Sequence, residues 1–134
     1  MLNARVSIPL ANAILLSATP YQLLPAPPVG YAYDVFDVVV VSNNAATALT
    51  GGSSQHVGFT SAPATYPLGT VLLSNLTGGL KWTTNMPASG TVRTNFAQAN
   101  ALGQSVFVGG GGAELAGGDS PVVFTIFYTL VAMP

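Results

Sequence analysis

Residues that interrupt regular structure are spread along the whole chain. The 134 residues include 15 glycines and 10 prolines, and the segments between them are short. Short apolar segments separated by turn residues are typical of β-sandwiches and barrels, because long helices do not fit between the breakers. We therefore expect an all-β protein, a jelly-roll-like antiparallel β-sandwich of about eight strands with at most one or two short helical turns.

The chain has the size and the uniform composition of one domain. It contains no linker, and its composition does not change along the chain. We therefore assign residues 1–134 to a single β-sandwich domain. Hydrophobic residues make up 49% of the sequence, which is enough to build a core at this length. Cysteine is absent, which excludes disulfides and thiol chemistry.

Two segments are apolar on both strand faces. Side chains alternate between the faces of a strand, and both sets are mostly apolar in Tyr31–Val41 and in Val122–Val131. Each segment is therefore predicted to be a central strand. Two such strands present more apolar surface than one small sandwich covers, which favours association with a partner.

Shorter strands are predicted from the positions of the remaining breakers. The segments are Tyr21–Leu24, Gln55–Ser61, Thr70–Leu73, Lys81–Thr84 and Ser105–Val108. A helical turn is predicted within Ala11–Ser17, and Arg93–Leu102 is interpreted as a short helix or an irregular crossing.

Charge is scarce, and this excludes several classes of partner. Charged residues make up 5% of the chain, and only three of them are cations. Three scattered cations cannot form the basic face that binds nucleic acid or an anionic membrane. Prolines interrupt the long uncharged N-terminal stretch, and the last apolar segment is too short for a spanning helix, so no membrane partner is expected.

The N-terminal segment has two interpretations. Residues 1–10 form either an extended arm that reaches a neighbour or the first strand of the sandwich. In the first case Leu2, Val6 and Ile8 are the candidate partner-binding residues. Trp82, the only tryptophan, is interpreted as a core residue, with an interface anchor or a carbohydrate platform as the alternatives.

The residues that carry catalytic chemistry do not form a recognisable constellation. His56 stands alone and is expected to be a solvated loop residue, since no Gly-x-Ser-x-Gly motif accompanies it. Asp34 and Asp37 are three residues apart on one strand, a spacing that predicts opposite faces. We therefore predict a protein that is not an enzyme, with no catalytic, cofactor-binding or metal site and no cofactor.

The remaining acidic residues and the glycine run receive structural interpretations. Asp119 is expected to bond to the backbone of its own turn, and Glu114 is expected to be solvated. The run Gly109–Gly112 lacks the residues that follow a phosphate-binding loop, so we expect a flexible loop.

Motifs at the two ends of the chain occur in a recognisable order. An apolar turn precedes Thr19-Pro20, and Leu24-Pro25-Ala26-Pro27 and a glycine lead into the long strand from Tyr31. At the other end Gly117-Gly118-Asp119 precedes the last strand. This arrangement resembles the capsid decoration (cement) proteins of tailed bacteriophages over about the first 30 and the last 20 residues.

The resemblance implies a function and partners. It implies a jelly-roll-like structural virion protein, made in the host cytoplasm, that binds the outer capsid surface and stabilises the joints between major capsid protein subunits. It also implies self-association as a dimer or trimer. The alternative is a head-fibre or tail-associated module that contacts host surface glycans, with Trp82 as its candidate contact.

Overall fold

The computed structural model describes residues 1–51, 54–71, 73, 79–84 and 101–134. Strands dominate these residues. In chain order the elements are β1 (Leu2–Ile8), α1 (Leu10–Ala13), β2 (Tyr21–Leu24), β3 (Tyr31–Asn44), β4 (Leu49–Gly51), β5 (Gln55–Phe59), β6 (Pro67–Val71), β7 (Gly79–Thr84), β8 (Val106–Gly109), β9 (Leu115–Gly117) and β10 (Val122–Ala132).

Eight of the strands form two four-stranded antiparallel sheets. Sheet A has the order β1-β10-β3-β7, and sheet B has the order β2-β8-β5-β6. The pairs β1–β10, β2–β8, β3–β7 and β5–β6 are those of one long antiparallel ribbon rolled into two sheets, which is the jelly-roll topology. The predicted fold class is therefore confirmed. A separate two-stranded ribbon joins β4 to β9.

One hydrophobic core lies between the two sheets. Sheet A contributes the inward residues of its central strands, including Val38, Val40, Phe124 and Ile126, all with no exposed surface. Sheet B contributes residues such as Val57, Phe59, Val106 and Val108. Burial of these β-branched and aromatic side chains is the main stabilising contribution to the fold.

The two segments predicted to be central strands are central. β3 and β10 are neighbours in the middle of sheet A, with β1 and β7 on either side. Most of their inward residues are buried, and most of their outward residues are only half-buried. The outward apolar residues of sheet A therefore keep part of their surface exposed.

A β-bulge interrupts the alternation in β3. Phe127 pairs with Asp37, but the next residue, Tyr128, pairs with Val35, so Phe36 is the extra residue of the bulge. The inward set therefore changes from Tyr33 and Val35 before the bulge to residues 38 and 40 after it. The sequence shows no signal for this change.

Several element boundaries differ from the prediction. β4 and β9 lie outside all the predicted strands, and the predicted helical turn is the four-residue α1. β6 begins at Pro67, which an edge strand accepts as its first residue because no partner needs the missing N–H. The predicted crossing Arg93–Leu102 lies mostly outside the described residues.

Candidate interaction surface

The N-terminal segment is a strand of the sandwich. β1 pairs with β10 along its whole length, from Leu2 opposite Tyr128 to Ile8 opposite Val122. Of the two interpretations of residues 1–10, the structure therefore shows the first strand and not a detached arm.

The structure separates the four predicted partner-binding residues. Leu2 is 49% exposed, whereas Val6 is half-buried against the core. Ile8 has no exposed surface, so the expectation that it contacts a partner is wrong. Its inward position follows from the alternation of β1. The backbone of Trp82 lies in β7 opposite Val41.

Exposed apolar side chains concentrate at one end of sheet A. Five of the six large apolar side chains that are exposed in the described part of the chain lie there, and we call them the apolar end: Met1, Leu2, Val29, Tyr31 and Val131. All five lie toward the end of sheet A where β1 starts, β3 starts and β10 ends, with Leu2 opposite Tyr128 and Tyr31 opposite Ala132. Sequence reasoning identified only Leu2 among them.

Backbone hydrogen bonds hold the apolar end in place. The N–H of Met133 donates to the carbonyl of Gly30 at 2.9 Å, and the N–H of Tyr31 donates to the carbonyl of Pro28 at 3.1 Å. The hydroxyl of Tyr33 donates to the carbonyl of Pro25 at 2.9 Å. The β2–β3 loop is thus fixed at both ends, and it presents Val29 with its whole side chain exposed.

The outer face of sheet A is a second, partly apolar surface. Val41 pairs with Val123, and Val39 pairs with Thr125, on adjacent strands. These side chains are half-buried, as is Phe127. Because they point away from the sandwich core, the interior of the described domain does not cover them.

Asp34 and Asp37 lie on this same outer face. The expectation that they occupy opposite faces is wrong, since the bulge at Phe36 adds one residue between them and restores the same orientation. Oδ1 of Asp37 accepts a hydrogen bond from the N–H of Val38 at 2.8 Å. Arg5 lies on the edge strand β1, opposite Thr125.

A shallow depression of about 280 Å³ lies at the end of the outer face opposite to the apolar end. Its lining residues are Val41, Ser42, Asn43, Ser120, Pro121 and Val123. The hydroxyl of Ser42 donates to the carbonyl of Pro121 at 3.1 Å, and the hydroxyl of Ser120 donates to the carbonyl of Asn43. These internal bonds already use the two hydroxyls as donors.

His56 does not lie in a loop. It is a half-buried residue of β5, paired with Thr70 on one side and Gly109 on the other, so the expectation of a solvated loop residue is wrong. Its Nδ1 is buried and has no hydrogen-bond partner. The predicted strand Gln55–Ser61 already included this position, whereas the polar residues that precede His56 suggested a loop.

Glu114 and Asp119 bind backbone groups that are distant in sequence. The carboxylate of Glu114 accepts hydrogen bonds from the N–H groups of Ser17 at 3.3 Å and Ala18 at 2.9 Å, so it is not simply solvated. Oδ2 of Asp119 accepts from the N–H groups of Ala46 at 2.7 Å and Thr47 at 2.9 Å. Asp119 thus ties the β9–β10 turn to the β3–β4 loop, in addition to its contacts within its own turn with the hydroxyl of Ser120 at 3.0 Å and with its own N–H.

These backbone donors also explain the acidity of Asp119. The N–H groups of Thr47 and Ala46 stabilise the charged carboxylate and lower the pKa of Asp119 below its usual value.

Within the described residues, no group of three or more histidine or acidic side chains could hold a metal ion. The helix that the structure describes is too short to cross a membrane.

Comparisons with known proteins leave the family open. Family models, curated proteins and solved structures all give no match to the chain.

Proposed function

We propose that the chain is a structural virion protein that binds the outside of a phage capsid and stabilises joints between major capsid protein subunits. The observation that carries the proposal is the apolar end, where Met1, Leu2, Val29, Tyr31 and Val131 are exposed at the same end of sheet A. Clustered exposed apolar residues on a small domain mark a surface that meets a partner.

The rigidity of the apolar end suits such a contact. The hydrogen bonds of Met133, Tyr31 and Tyr33 fix the loop that carries Val29 before any partner arrives. A preformed surface loses little conformational entropy on binding. A contact repeated at many equivalent positions on a shell can be individually modest and still stabilise the whole particle.

The fold and the use of polar groups agree with a structural role. Jelly rolls are frequent among viral capsid domains, although the fold alone does not assign a function. The carboxylates of Glu114 and Asp119 serve loop backbone groups. The proposal therefore gives the chain no catalytic step, no cofactor, and the capsid surface as its location.

Binding to purified capsids that lack the protein tests this proposal. Val29→Glu places a charge on a fully exposed side chain, so it should leave the melting temperature unchanged and weaken capsid binding at least tenfold. Leu15→Glu is the matched control, because Leu15 is 50% exposed but lies beyond the opposite end of β1. Equal capsid affinity of the wild type and Val29→Glu would reject the apolar end as the capsid contact.

A glycan-binding module of the head fibre or tail is the second candidate function. The observation in its favour is the depression beside Val41, the residue that lies opposite Trp82 in register. In this case a glycan array should show binding that Trp82→Ala abolishes and Val29→Glu leaves intact. Absence of glycan binding at millimolar sugar would remove this alternative.

A further inference from the structure

The outer edge of β1 has no backbone partner in the part of the chain that the structure describes. All seven residues of β1 pair with β10 on one side. Sheet A ends at β1 on the other side, and residues 2–8 make no further backbone hydrogen bond with the described residues. Because a strand directs its N–H and C=O groups alternately to its two sides, this edge keeps a row of free donors and acceptors.

β1 also lacks several features that usually protect an edge strand from pairing. It is the longest of the four edge strands of the described sheets A and B, it contains no proline, and its register with β10 is not interrupted. In sheet B the edge strand β6 begins at Pro67, and the register of both edge strands shifts. The edge of β1 is therefore open to a further strand.

The side chains of β1 indicate what kind of strand fits beside it. Ala4 and Val6 face the core and are only half-buried, so the core is incompletely covered along this edge. Asn3, Arg5 and Ser7 alternate with them and are exposed on the outer face. Apolar side chains of an added strand would cover Ala4 and Val6, while its alternate residues would be polar and would lie beside Arg5.

Arg5 disfavours a second copy as the added strand. It is the central residue of β1, so full antiparallel overlap of two β1 strands about a two-fold axis places Arg5 directly opposite Arg5. Like charges opposite each other destabilise a strand pair, whereas an acidic residue at the same place stabilises it. The edge therefore favours a different chain, with an acidic residue at the centre of the added strand.

We propose that the outer edge of β1 binds an extended segment of another protein by strand addition. The segment alternates apolar with polar residues, and one of its carboxylates lies opposite Arg5. Backbone hydrogen bonds to the edge supply affinity, and the alternation with its central acid supplies selectivity. The inference does not depend on the proposed capsid function, because the edge is present in the isolated chain.

Binding of two short peptides tests the charge at this edge. The probes are the capped peptide Val-Thr-Val-Glu-Val-Thr-Val and its variant with a central lysine, each labelled for fluorescence anisotropy. The wild type should bind the glutamate peptide at least fivefold more tightly than the lysine peptide, and Arg5→Glu should reverse this preference. Lys81→Glu, the same charge change on the other edge strand of sheet A, should keep the preference of the wild type.

Further measurements show whether the peptide adds as a strand. Hydrogen exchange with the glutamate peptide at saturation should slow at least fivefold at alternate N–H groups of β1 and stay unchanged in β7. A glutamate peptide that is N-methylated at every residue cannot donate backbone hydrogen bonds, so it should not bind. If Arg5→Glu does not fold, Arg5→Gln removes only the charge and should abolish the preference between the two peptides.

Several outcomes overturn strand addition at β1. These are no binding of the glutamate peptide at millimolar concentration, an unchanged preference in Arg5→Glu or Arg5→Gln, full binding of the N-methylated peptide, and slowed exchange in β7 instead of β1. Protection of the β1 amides that rises with the concentration of the free chain would show a second copy at this edge and would also contradict the proposal. Because no capsid is present, these results leave the capsid proposal to its own experiment.

Discussion

The N–H of Gly111 donates a hydrogen bond of 2.9 Å to Oε1 of Gln55. Gln55 has no exposed surface, and its Nε2 approaches the carbonyl of Ala113 at 3.4 Å. A side chain of β5 therefore organises the glycine-rich segment after β8. In the run Gly109–Gly112, which was expected to be a flexible loop, Gly109 ends β8 and the N–H of Gly110 donates to the carbonyl of Leu16 at 3.0 Å. A Cβ on Gly111 would lie 2.6 Å from the carbonyl oxygen of Ser54, so the chain packs closely there.

Gln55→Leu should destabilise the fold by about 1–3 kcal/mol. The substitution keeps the volume of the side chain but leaves the N–H of Gly111 without its acceptor in a buried place. Urea denaturation measures the change. Gln22→Leu, at an exposed position, should change stability by less than about 0.5 kcal/mol and serves as the control. Equal stabilities of the two variants would contradict this account of Gln55.

Gly58→Ala should cost about 2–3 kcal/mol, because the added Cβ would overpack the strand. It would lie closer than 3.0 Å to the carbonyl oxygens of Pro63 and Tyr66, and backbone atoms cannot rotate away. In Gly103→Ala the added Cβ meets no atom within 4 Å. Only the positive φ of 69° is then unfavourable, so this substitution should destabilise the fold by about 1 kcal/mol. A Gly58→Ala protein with a higher melting temperature than the Gly103→Ala protein would contradict this prediction. It would show that the backbone shifts enough to relieve the contacts of the added Cβ with Pro63 and Tyr66.

Asp119 should make stability depend on pH in the acid range. Its pKa is lower in the folded chain than in the unfolded chain, because the N–H groups of Thr47 and Ala46 bind the charged form. The contribution is complete above the usual aspartate pKa of about 3.9 and is lost as the pH falls through the folded value. The stability difference between the wild type and Asp119→Asn should therefore shrink from pH 7 to pH 3. A difference that stays constant would refute the linkage.

Tyr33 should make stability depend on pH in the alkaline range. Burial, and to a smaller extent the neighbouring Tyr128, raises the pKa of Tyr33. The contribution is complete below the usual tyrosine pKa of about 10 and is lost as the pH rises through the folded value. Tyr33→Phe should remove this alkaline loss.

The same substitution has a cost at neutral pH. Tyr33→Phe loses the hydrogen bond to Pro25, worth about 1 kcal/mol. It keeps the edge-to-face contact with Tyr128, whose ring centroid lies 5.1 Å away. Tyr31→Phe, at a 39% exposed position, is the control and should melt like the wild type at both pH values. Equal melting of the two variants would contradict the role of the Tyr33 hydroxyl.

The presence of many strands, and the central positions of two of them in sheet A, could be predicted from local sequence pattern. Tyr21–Leu24 matches its strand at both ends, and the two doubly apolar segments are the central strands of sheet A. Alternation and apolar character are properties of a single segment, so the sequence reveals them. The short strands β4 and β9 were missed because their stability comes from each other and not from their own residues.

The candidate surfaces were less predictable, since they depend on contacts between distant segments. The apolar end combines residues that β1, β3 and β10 bring to one edge, and only Leu2 was named beforehand. The bulge at Phe36 placed Asp34 and Asp37 on one face, although their spacing predicts two. Glu114, Asp119 and Gln55 bind backbone groups more than 50 residues away, which no local pattern reveals.

The copy number of the chain in purified phage particles tests the capsid proposal most directly. Quantitative mass spectrometry against the major capsid protein gives this number. The account predicts a fixed ratio near the number of capsomers, with particles lacking the chain failing earlier under heat. A few copies per particle, or none, would contradict it.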